Sequence, residues 1–293
     1  MDQATGLRNI IKMNNSAQSA APARVLTVTS GKGGVGKSSL SVNLAVHLRR
    51  MGKSVLIFDA DFGLANVEVM FGAIPKYNLS DVIYKGMQIT DIITRGPMDI
   101  DFISAGSGIA GLNNLTRDQV VYLINCFAYL DTYADYIIID TGAGISHTVL
   151  EFVISSPEVL LVVTPDPSSL TDSYSLIKAL YKNPRFNSRD TQIRVVTNKV
   201  RSTADGQNTY EKISTVVDKF LAGRLSYLGM VPTDNAVDSA VRQQKPISIV
   251  NQNAISSKAF GIIANNLMTG NNESYIMRRG LKDMIFGFLN RQI

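Results

Sequence analysis

The residues with the clearest chemical signal lie in the stretch GKGGVGKSS, residues 31–39. Four residues separate Gly31 from the triplet Gly-Lys-Ser that ends in Ser38. This is the spacing of a phosphate-binding loop, in which backbone N–H groups hold phosphate at the start of a helix. We therefore expect Lys37 to reach the β- and γ-phosphates and Ser38 to ligate Mg²⁺. A glycine-rich turn without a ligand would not require the Lys-Ser pair.

The same loop contains a second lysine, Lys32, whose purpose the loop pattern does not explain. It comes too early in the chain to approach the phosphate face that Lys37 serves. A lysine on the solvated surface is the simplest alternative. The loop alone therefore leaves the role of Lys32 open.

Two predicted strands end in aspartates, in the stretches FDADFGLAN and IIIDTGAG. Asp59 and Asp61 flank Ala60, so they share one side if the strand extends that far. Asp140 ends the second strand. Open α/β sheets bind ligands at the carboxyl ends of their strands, so these carboxylates are expected to lie at a ligand site. A helix or turn cap is the alternative for a single aspartate at such a place.

The remaining pattern predicts the elements that position these groups. Short β-branched runs alternate with helical segments, and several are apolar on both faces, which indicates parallel strands buried between helices. We predict a doubly wound α/β fold with a mostly parallel sheet. Its seven predicted strands are residues 24–30, 54–60, 100–106, 136–142, 158–165, 192–198 and 225–232. Helices are predicted over residues 38–52, stopped by Gly52, and over 116–130, capped by Thr116.

Composition excludes several classes of protein. The 293 residues suit one large α/β core, and the formal net charge of +5 suits anionic partners without choosing among them. The sequence contains neither an apolar run long enough for a bilayer nor a signal-peptide pattern, so we expect a cytoplasmic protein. Cys126 is the single cysteine, which excludes an internal disulfide, and we expect it to pack inside a helix. His47 and His147 suggest no metal site beyond Mg²⁺.

The stretch KGGVGKS resembles the deviant phosphate loop of the MinD/ParA ATPases. In that family the extra lysine crosses a dimer that sandwiches two nucleotides, so the resemblance implies that Lys32 contacts the triphosphate of a neighbour. It also implies that Asp61 orients the attacking water, that Asp59 supports the Mg²⁺ region, and that Asp140 is the Walker B aspartate. The implied ATP-binding residues in the loop are Gly31, Lys32, Gly33, Gly34, Val35, Gly36, Lys37, Ser38 and Ser39.

Two later stretches, VVTNKV and VPTDNAV, match the places where this family contacts adenine and ribose. The match implies that Asn198, Pro232 and Asp234 belong to the ATP site. Asn and Asp at strand ends also form turns, so a local structural role is the alternative.

The C-terminal stretch MRRGLKDMIFGFLNRQI has the pattern of an interfacial membrane helix. Basic residues lie off its apolar face and would contact anionic headgroups. Docking of this helix into a groove on its own body is the alternative. Both interpretations are compatible if ATP binding shifts the helix from one position to the other. The predicted membrane-binding face consists of Met277, Leu281, Met284, Ile285, Phe288 and Leu289.

The N-terminal stretch DQATGLR resembles the DQAxxLR activator motif of the FlhG family, which is also called FleN or YlxH and consists of MinD-like regulators of flagellar number. The matching residues are Asp2, Gln3, Ala4, Leu7 and Arg8. The resemblance implies stimulation of the GTPase FlhF, contacts with flagellar C-ring switch proteins and, in polar flagellates, with a σ54-type master regulator. The predicted organisation is a tail over residues 1–23, an ATPase domain over 24–269, and a linker with the membrane helix over 270–293.

Our leading hypothesis is a slow ATPase switch that is monomeric in the cytosol and becomes a membrane-bound homodimer with ATP and Mg²⁺. A ParA-type DNA-partition ATPase is the alternative, although we expect no direct nucleic-acid binding. An iron–sulfur carrier is disfavoured by the single Cys126. A metabolic ligase of the same fold would need a substrate pocket that the sequence does not reveal.

Overall fold

The computed structural model of the protein describes residues 22–61, 66–106, 117–270 and Leu281. Within these residues, eight strands form a single sheet in the order β3-β4-β2-β5-β1-β6-β7-β8. The pairs are parallel except β3 with β4, which are antiparallel. The strands are β1 (Arg24–Thr29), β2 (Val55–Ala60), β3 (Thr94–Arg95), β4 (Asp101–Ser104), β5 (Tyr136–Thr141), β6 (Glu158–Val163), β7 (Gln192–Val200) and β8 (Ser226–Pro232).

Helices cover both faces of the sheet because neighbouring residues of each strand point to opposite faces. In β1, Leu26 and Val28 join one apolar cluster while Val25 joins another. The first cluster packs under α1 (Lys37–Arg50), α2 (Asn66–Phe71), α8 (Asn235–Arg242), α9 (Ile247–Val250) and α10 (Ile255–Thr269). The opposite face packs under α3 (Leu79–Lys85), α4 (Arg117–Tyr133), α5 (His147–Ser155), α6 (Pro167–Lys182) and α7 (Thr203–Leu221).

The parallel register brings the chemically interesting strand ends together. Asp59 at the end of β2 pairs with Asp140 of β5, and Val28 of β1 pairs with Asp140 on the other side. The loop that follows β1 therefore opens at the same edge as both aspartates. This edge, at the carboxyl ends of β1, β2 and β5, is the place where open α/β sheets bind ligands.

The predicted fold class is confirmed, and each of the seven predicted runs overlaps a strand, although β7 extends two residues beyond its run to Val200. The sequence pattern missed β3, whose two residues are too few to show a periodicity. The helix predicted to end at residue 130 continues to Tyr133, and its predicted cap, Thr116, lies outside the described residues. Cys126 is buried in α4 as expected, and burial raises the pKa of its thiol to about 11.

Within the described part of the chain, none of the helices combines the length and the hydropathy that crossing a bilayer requires.

Candidate functional site

The loop between β1 and α1 is shaped by close approach to two other elements. A side-chain carbon at Gly31 would lie 2.1 Å from the carbonyl carbon of Asp172 in α6, so only glycine fits there. Gly36 has a φ of 98° at the start of α1, a conformation that favours glycine. A side-chain carbon at Gly36 would also lie 2.3 Å from Nδ2 of Asn198. Packing therefore fixes both glycines of the phosphate-loop spacing.

Lys37 and Asp140 form the buried centre of the site. Burial lowers the pKa of the Lys37 ammonium, and the charges of Asp140 and Asp61 oppose this shift. Burial raises the pKa of Asp140 to about 6. Hydrogen bonds from Ser38 and Ser41 and the charge of Lys37 oppose this rise. Oδ2 of Asp140 is buried and has no hydrogen-bond partner among the residues that the structure describes. The buried centre therefore holds the carboxylate of Asp140 with its Oδ2 available to a ligand.

Asp59 lies beside Asp140 and shapes the segment that follows β2. Its Oδ1 accepts a hydrogen bond from the backbone N of Asp61 at 3.2 Å, and its Oδ2 accepts one from Val67 at 3.0 Å. Burial, and then the charge of Asp140, raise the pKa of Asp59 to about 8. Mg²⁺ prefers oxygen ligands. The site offers the buried carboxylates of Asp59 and Asp140, with Oδ2 of Asp140 lacking a partner among the described residues, and the Ser38 hydroxyl beside Asp140, so these residues fit that ion.

Asp61 is placed differently from the strand interpretation. Strand β2 ends at Ala60, so Asp59 and Asp61 do not share a face of one strand. A side-chain carbon at Gly142 would be 3.6 Å from Oδ1 of Asp61, which shows that the segments after β2 and β5 meet there. Oδ2 accepts a hydrogen bond of 3.2 Å from Nδ2 of Asn66 at the start of α2. Asp61 is thus brought to the site as the residue directly after β2, and Asn66 of α2 bonds to its carboxylate.

Lys32 has surroundings unlike those of Lys37. Its Nζ donates a hydrogen bond of 2.5 Å to Oγ of Ser168, in the first turn of α6. This bond lies at the surface, on the side of the loop that packs against α6. The two lysines of one loop therefore point to different places, one into the buried centre and the other to the exposed start of a neighbouring helix.

Asn198, predicted to contact the nucleotide base or ribose, braces the loop in this structure. Its Nδ2 donates to the carbonyl oxygen of Val35 at 2.7 Å, and its Oδ1 accepts from the backbone N of Lys199. Lys199 has a φ of 56°, and its Nζ donates to the carbonyl oxygen of Gly34 at 2.9 Å. The end of β7 therefore holds two carbonyl groups of the loop.

Asp234, for which a turn was the alternative, caps α8 and also accepts hydrogen bonds from the first turn of α10. Its Oδ1 accepts from the backbone N of Ala236 in α8, and its Oδ2 accepts from the backbone N and the hydroxyl of Ser256 in α10. Pro232 ends β8 and pairs with Val200 at the end of β7. Both residues lie at the same sheet edge as the loop, one strand further out than Asn198.

The terminal motifs fall mostly outside the described residues. The N-terminal motif, with Asp2, Gln3, Ala4, Leu7 and Arg8, does so entirely. Of the predicted membrane face, Leu281 alone is described, and it is helical and fully buried in the cluster that contains Phe127 of α4. Its backbone N donates to Oδ1 of Asp131, near the end of α4. Leu281 therefore packs against the body of the protein, as the docking alternative expected.

Four residues that support the site were not found from the sequence: Ser41, Asn66, Ser168 and Lys199. Ser41 could have been found, because it lies four residues after Lys37 and therefore on the same face of α1. Ser168 could not, since 136 residues separate it from Lys32. Short-range spacing reveals partners on one helix, whereas contacts between loops need the fold.

The family model for the CobQ/CobB/MinD/ParA nucleotide binding domain matches residues 26–247. The antiactivator FleN of Pseudomonas aeruginosa is 39% identical over 243 residues, which cover 83% of this chain and 85% of FleN. The flagellum site-determining protein YlxH of Helicobacter pylori is 33% identical over 295 residues, with 96% of each chain covered. The match therefore covers most of the length of both relatives.

Solved structures agree on the fold. The cell division ATPase MinD of Pyrococcus furiosus superimposes with a TM-score of 0.66 at 24% identity, covering 84% of this chain and 99% of MinD. The septum site-determining protein MinD of Pyrococcus horikoshii, complexed with Mg-ADP, has a TM-score of 0.66 at 22% identity, covering 87% of this chain and 100% of that chain. With its phosphate loop and paired carboxylates, the chain belongs to the CobQ/CobB/MinD/ParA nucleotide-binding family, as an ATPase of the FlhG type.

Proposed function

We propose that this ATPase is a switch that dimerises with ATP and regulates the number and placement of flagella. The flagellar assignment is supported by the similarity to FleN and YlxH over most of the chain. The switch assignment is supported by the different surroundings of the two lysines in the phosphate loop. Lys37 is buried beside Asp140, whereas Lys32 is held at the surface by Ser168.

The position of Lys32 is the observation that carries the proposed dimer. An ammonium group at the surface is free to contact a nucleotide on a second copy after it breaks one exposed hydrogen bond to Ser168. Such a bond contributes only about 0.5–1.5 kcal/mol, so the triphosphate of a neighbour is an effective competitor. A cation that reaches across the dimer stabilises the charge of the triphosphate and makes dimer affinity depend on the third phosphate.

We propose that Mg²⁺ is held by Ser38, Asp59 and Asp140. When bound, this ion neutralises negative charge on the β- and γ-phosphates. Lys37 contacts the same phosphates from the buried side. Asp61 orients the attacking water, and Asn66 fixes the direction of its carboxylate with the hydrogen bond to Oδ2.

The proposed ATP site consists of residues 31–39 together with Asn198, Pro232 and Asp234. Backbone N–H groups of the loop bind phosphate at the start of α1. The side-chain N–H of Asn198 bonds to Val35, which links the phosphate loop to the edge proposed to bind the base. If Asn198 also contacts the base through Oδ1, that oxygen must keep its hydrogen bond from the backbone N of Lys199 at the same time. Asp234 orders this edge through its hydrogen bonds with α8 and α10.

Lys32→Ala tests the dimer. We expect wild-type protein to double its mass in light scattering when ADP is replaced by a non-hydrolysable ATP analogue with Mg²⁺. Lys32→Ala should remain monomeric while its ATP affinity stays close to wild type. Lys178→Ala, which removes an exposed lysine from α6, is the matched control and should dimerise normally. Normal dimers of Lys32→Ala would contradict the role across the interface.

Membrane attachment is proposed for the segment after residue 270. Met277, Leu281, Met284, Ile285, Phe288 and Leu289 would enter an anionic membrane surface, which requires the buried Leu281 to leave its cluster. Reversing the charge of Arg278, Arg279 and Lys282 to glutamate retains Leu281 and should abolish liposome binding with the ATP analogue. Binding that persists would contradict a basic membrane helix.

FlhF is the proposed partner of the N-terminal motif, and C-ring switch proteins and a σ54-type master regulator are further proposed partners. Deletion of residues 1–20 should leave basal ATP hydrolysis unchanged and abolish stimulation of FlhF GTP hydrolysis. Retained stimulation would contradict the assignment to Asp2, Gln3, Ala4, Leu7 and Arg8. ATP-dependent DNA binding with a steep salt dependence would instead support a ParA-type partition function.

A further inference from the structure

The hydroxyl of Ser41 lies against the carboxylate of Asp140. Ser41 belongs to α1, about one turn after Lys37, and is fully buried. Its Oγ is 3.0 Å from Oδ1 of Asp140 and 3.2 Å from the carbonyl oxygen of Lys37. A hydroxyl has one proton to donate, and an ionised carboxylate is the stronger acceptor. The geometry therefore favours a hydrogen bond that joins α1 to the end of β5.

Ordinary helix chemistry does not account for this contact. A serine inside a helix often bonds to the carbonyl four residues earlier, which would explain only the longer of the two distances. Alanine would fill nearly the same space with a better helix propensity. Ser257 in α10 provides an internal comparison, because its hydroxyl is equally buried yet has no partner in the described part of the chain.

We infer that Ser41 is a positioning residue that holds Oδ1 of Asp140 and thereby presents Oδ2 to Mg²⁺. The inference rests on the proposed Mg²⁺ site. Rotation of a carboxylate about χ2 is soft, so a buried carboxylate without such a donor could turn and exchange its two oxygens. Ser38 also acts on this carboxylate through a hydrogen bond, but Ser38 is itself a proposed Mg²⁺ ligand. Ser41 stays on Oδ1 and leaves Oδ2, a buried oxygen for which the described residues offer no partner within ordinary hydrogen-bond geometry, to the ion.

The test compares ADP affinity in excess Mg²⁺ with ADP affinity in EDTA, measured by calorimetry, so that it needs no turnover. The quantity of interest is the gain in affinity that Mg²⁺ confers. Ser41→Ala should reduce this gain about tenfold, the effect of one hydrogen bond to a charged group. Ser41→Thr, which restores a hydroxyl, should retain most of the gain. Ser257→Ala, the matched control, should retain all of it.

Each result has a defined meaning. A wild-type gain in Ser41→Ala overturns the inference even if that variant is less stable, because lost packing alone does not depend on the metal ion. An equal reduction in Ser41→Thr also overturns it, since the hydroxyl would then be irrelevant. If Ser41→Ala does not fold, Ser41→Cys decides, because its thiol keeps the volume and is a weak donor. A wild-type protein without any gain contradicts the proposed Mg²⁺ site instead.

Discussion

The two ends of the parallel strands bury charge in opposite ways. At the amino ends, Glu158 of β6 accepts two hydrogen bonds from Arg24 of β1, with Nε to Oε1 at 2.5 Å and the second at 2.7 Å. Arg194 of β7 approaches the same carboxylate at 3.7 Å, and Arg24 also donates to the carbonyl oxygen of Leu267. Burial would lower the pKa of Arg24, but the hydrogen bonds and charge of Glu158 outweigh it and raise that pKa.

At the carboxyl ends, Asp59 and Asp140 lie next to each other, and Lys37, whose charge acts on Asp140, has its own pKa lowered by burial. The pKa values of both carboxyl groups are raised, first by burial. Charge is thus satisfied by the chain itself at one end and left for a ligand at the other. The amino ends of the strands therefore stabilise the fold, whereas the carboxyl ends are arranged to bind a ligand, as expected for open α/β sheets.

Glu158→Gln should have the largest effect on the paired end. It leaves Arg24 and Arg194 without their carboxylate, and removing one partner of a buried ion pair lowers the free energy of unfolding by about 3–5 kcal/mol. Urea denaturation measures this loss, and ADP affinity of the folded protein should not change. Asp99→Asn, which removes an exposed carboxylate near Arg49 and Arg95, is the control and should cost under about 1 kcal/mol. If both variants lost the same free energy of unfolding, the buried pair at Glu158 would be no more stabilising than the exposed one at Asp99.

Asp61→Ala should act on activity and not on stability. Loss of a group that orients the attacking water should lower the rate of phosphate release about a hundredfold. ADP affinity and the urea midpoint should stay near wild type, and ATP-bound dimers should accumulate. A variant that turns over normally would remove Asp61 from the reaction.

Asp140→Asn should show that the charge of Asp140 serves ligand binding and does not stabilise the fold. The amide keeps the volume, can still accept from Ser41, and removes the repulsion with Asp59. We expect the free energy of unfolding without nucleotide to be unchanged or up to about 2 kcal/mol higher, as at sites where function opposes stability. The gain in ADP affinity from Mg²⁺ should disappear. A large loss of stability would place Asp140 among the stabilising charges.

Ser168→Ala should have the smallest effect. It removes the exposed partner of Lys32, so the dimer formed with the ATP analogue should tighten about two- to twelvefold for each such bond, because the bond contributes about 0.5–1.5 kcal/mol. The monomer–dimer constant can be measured by analytical ultracentrifugation. Ser175→Ala, another exposed serine of α6, is the control. A weaker dimer would show that Ser168 contributes to the interface itself.

Much of the fold followed from local patterns. The buried strands and the phosphate loop were predictable because hydrophobic periodicity and glycine spacing are properties of a few consecutive residues. Asp140 was predictable because it ends a strongly apolar strand. Strand β3 was not, since Thr94 and Arg95 form a strand through their pairing with β4, which two residues of sequence do not reveal.

The partners of the site residues were harder to predict than the residues themselves. The sequence located Lys32 and Asn198, but their contacts with Ser168 and Val35 join segments more than a hundred residues apart, as the separations of 136 and 163 show. Packing of β7 and α6 against the loop creates these contacts. Asp61 was located through its resemblance to the family motif, but the strand stops at Ala60, and the hydrogen bond from Asn66 of α2 could not be predicted.

The burial of Leu281 bears on how shortened versions of this protein should be designed. Its side chain belongs to the same apolar cluster as Phe58 and Phe127, so ending the chain at residue 270 would remove part of that cluster. Removing a buried leucine side chain costs about 2–5 kcal/mol. A protein truncated there that fails to reach liposomes could simply be unstable, whereas single substitutions that spare Leu281 separate loss of targeting from loss of structure.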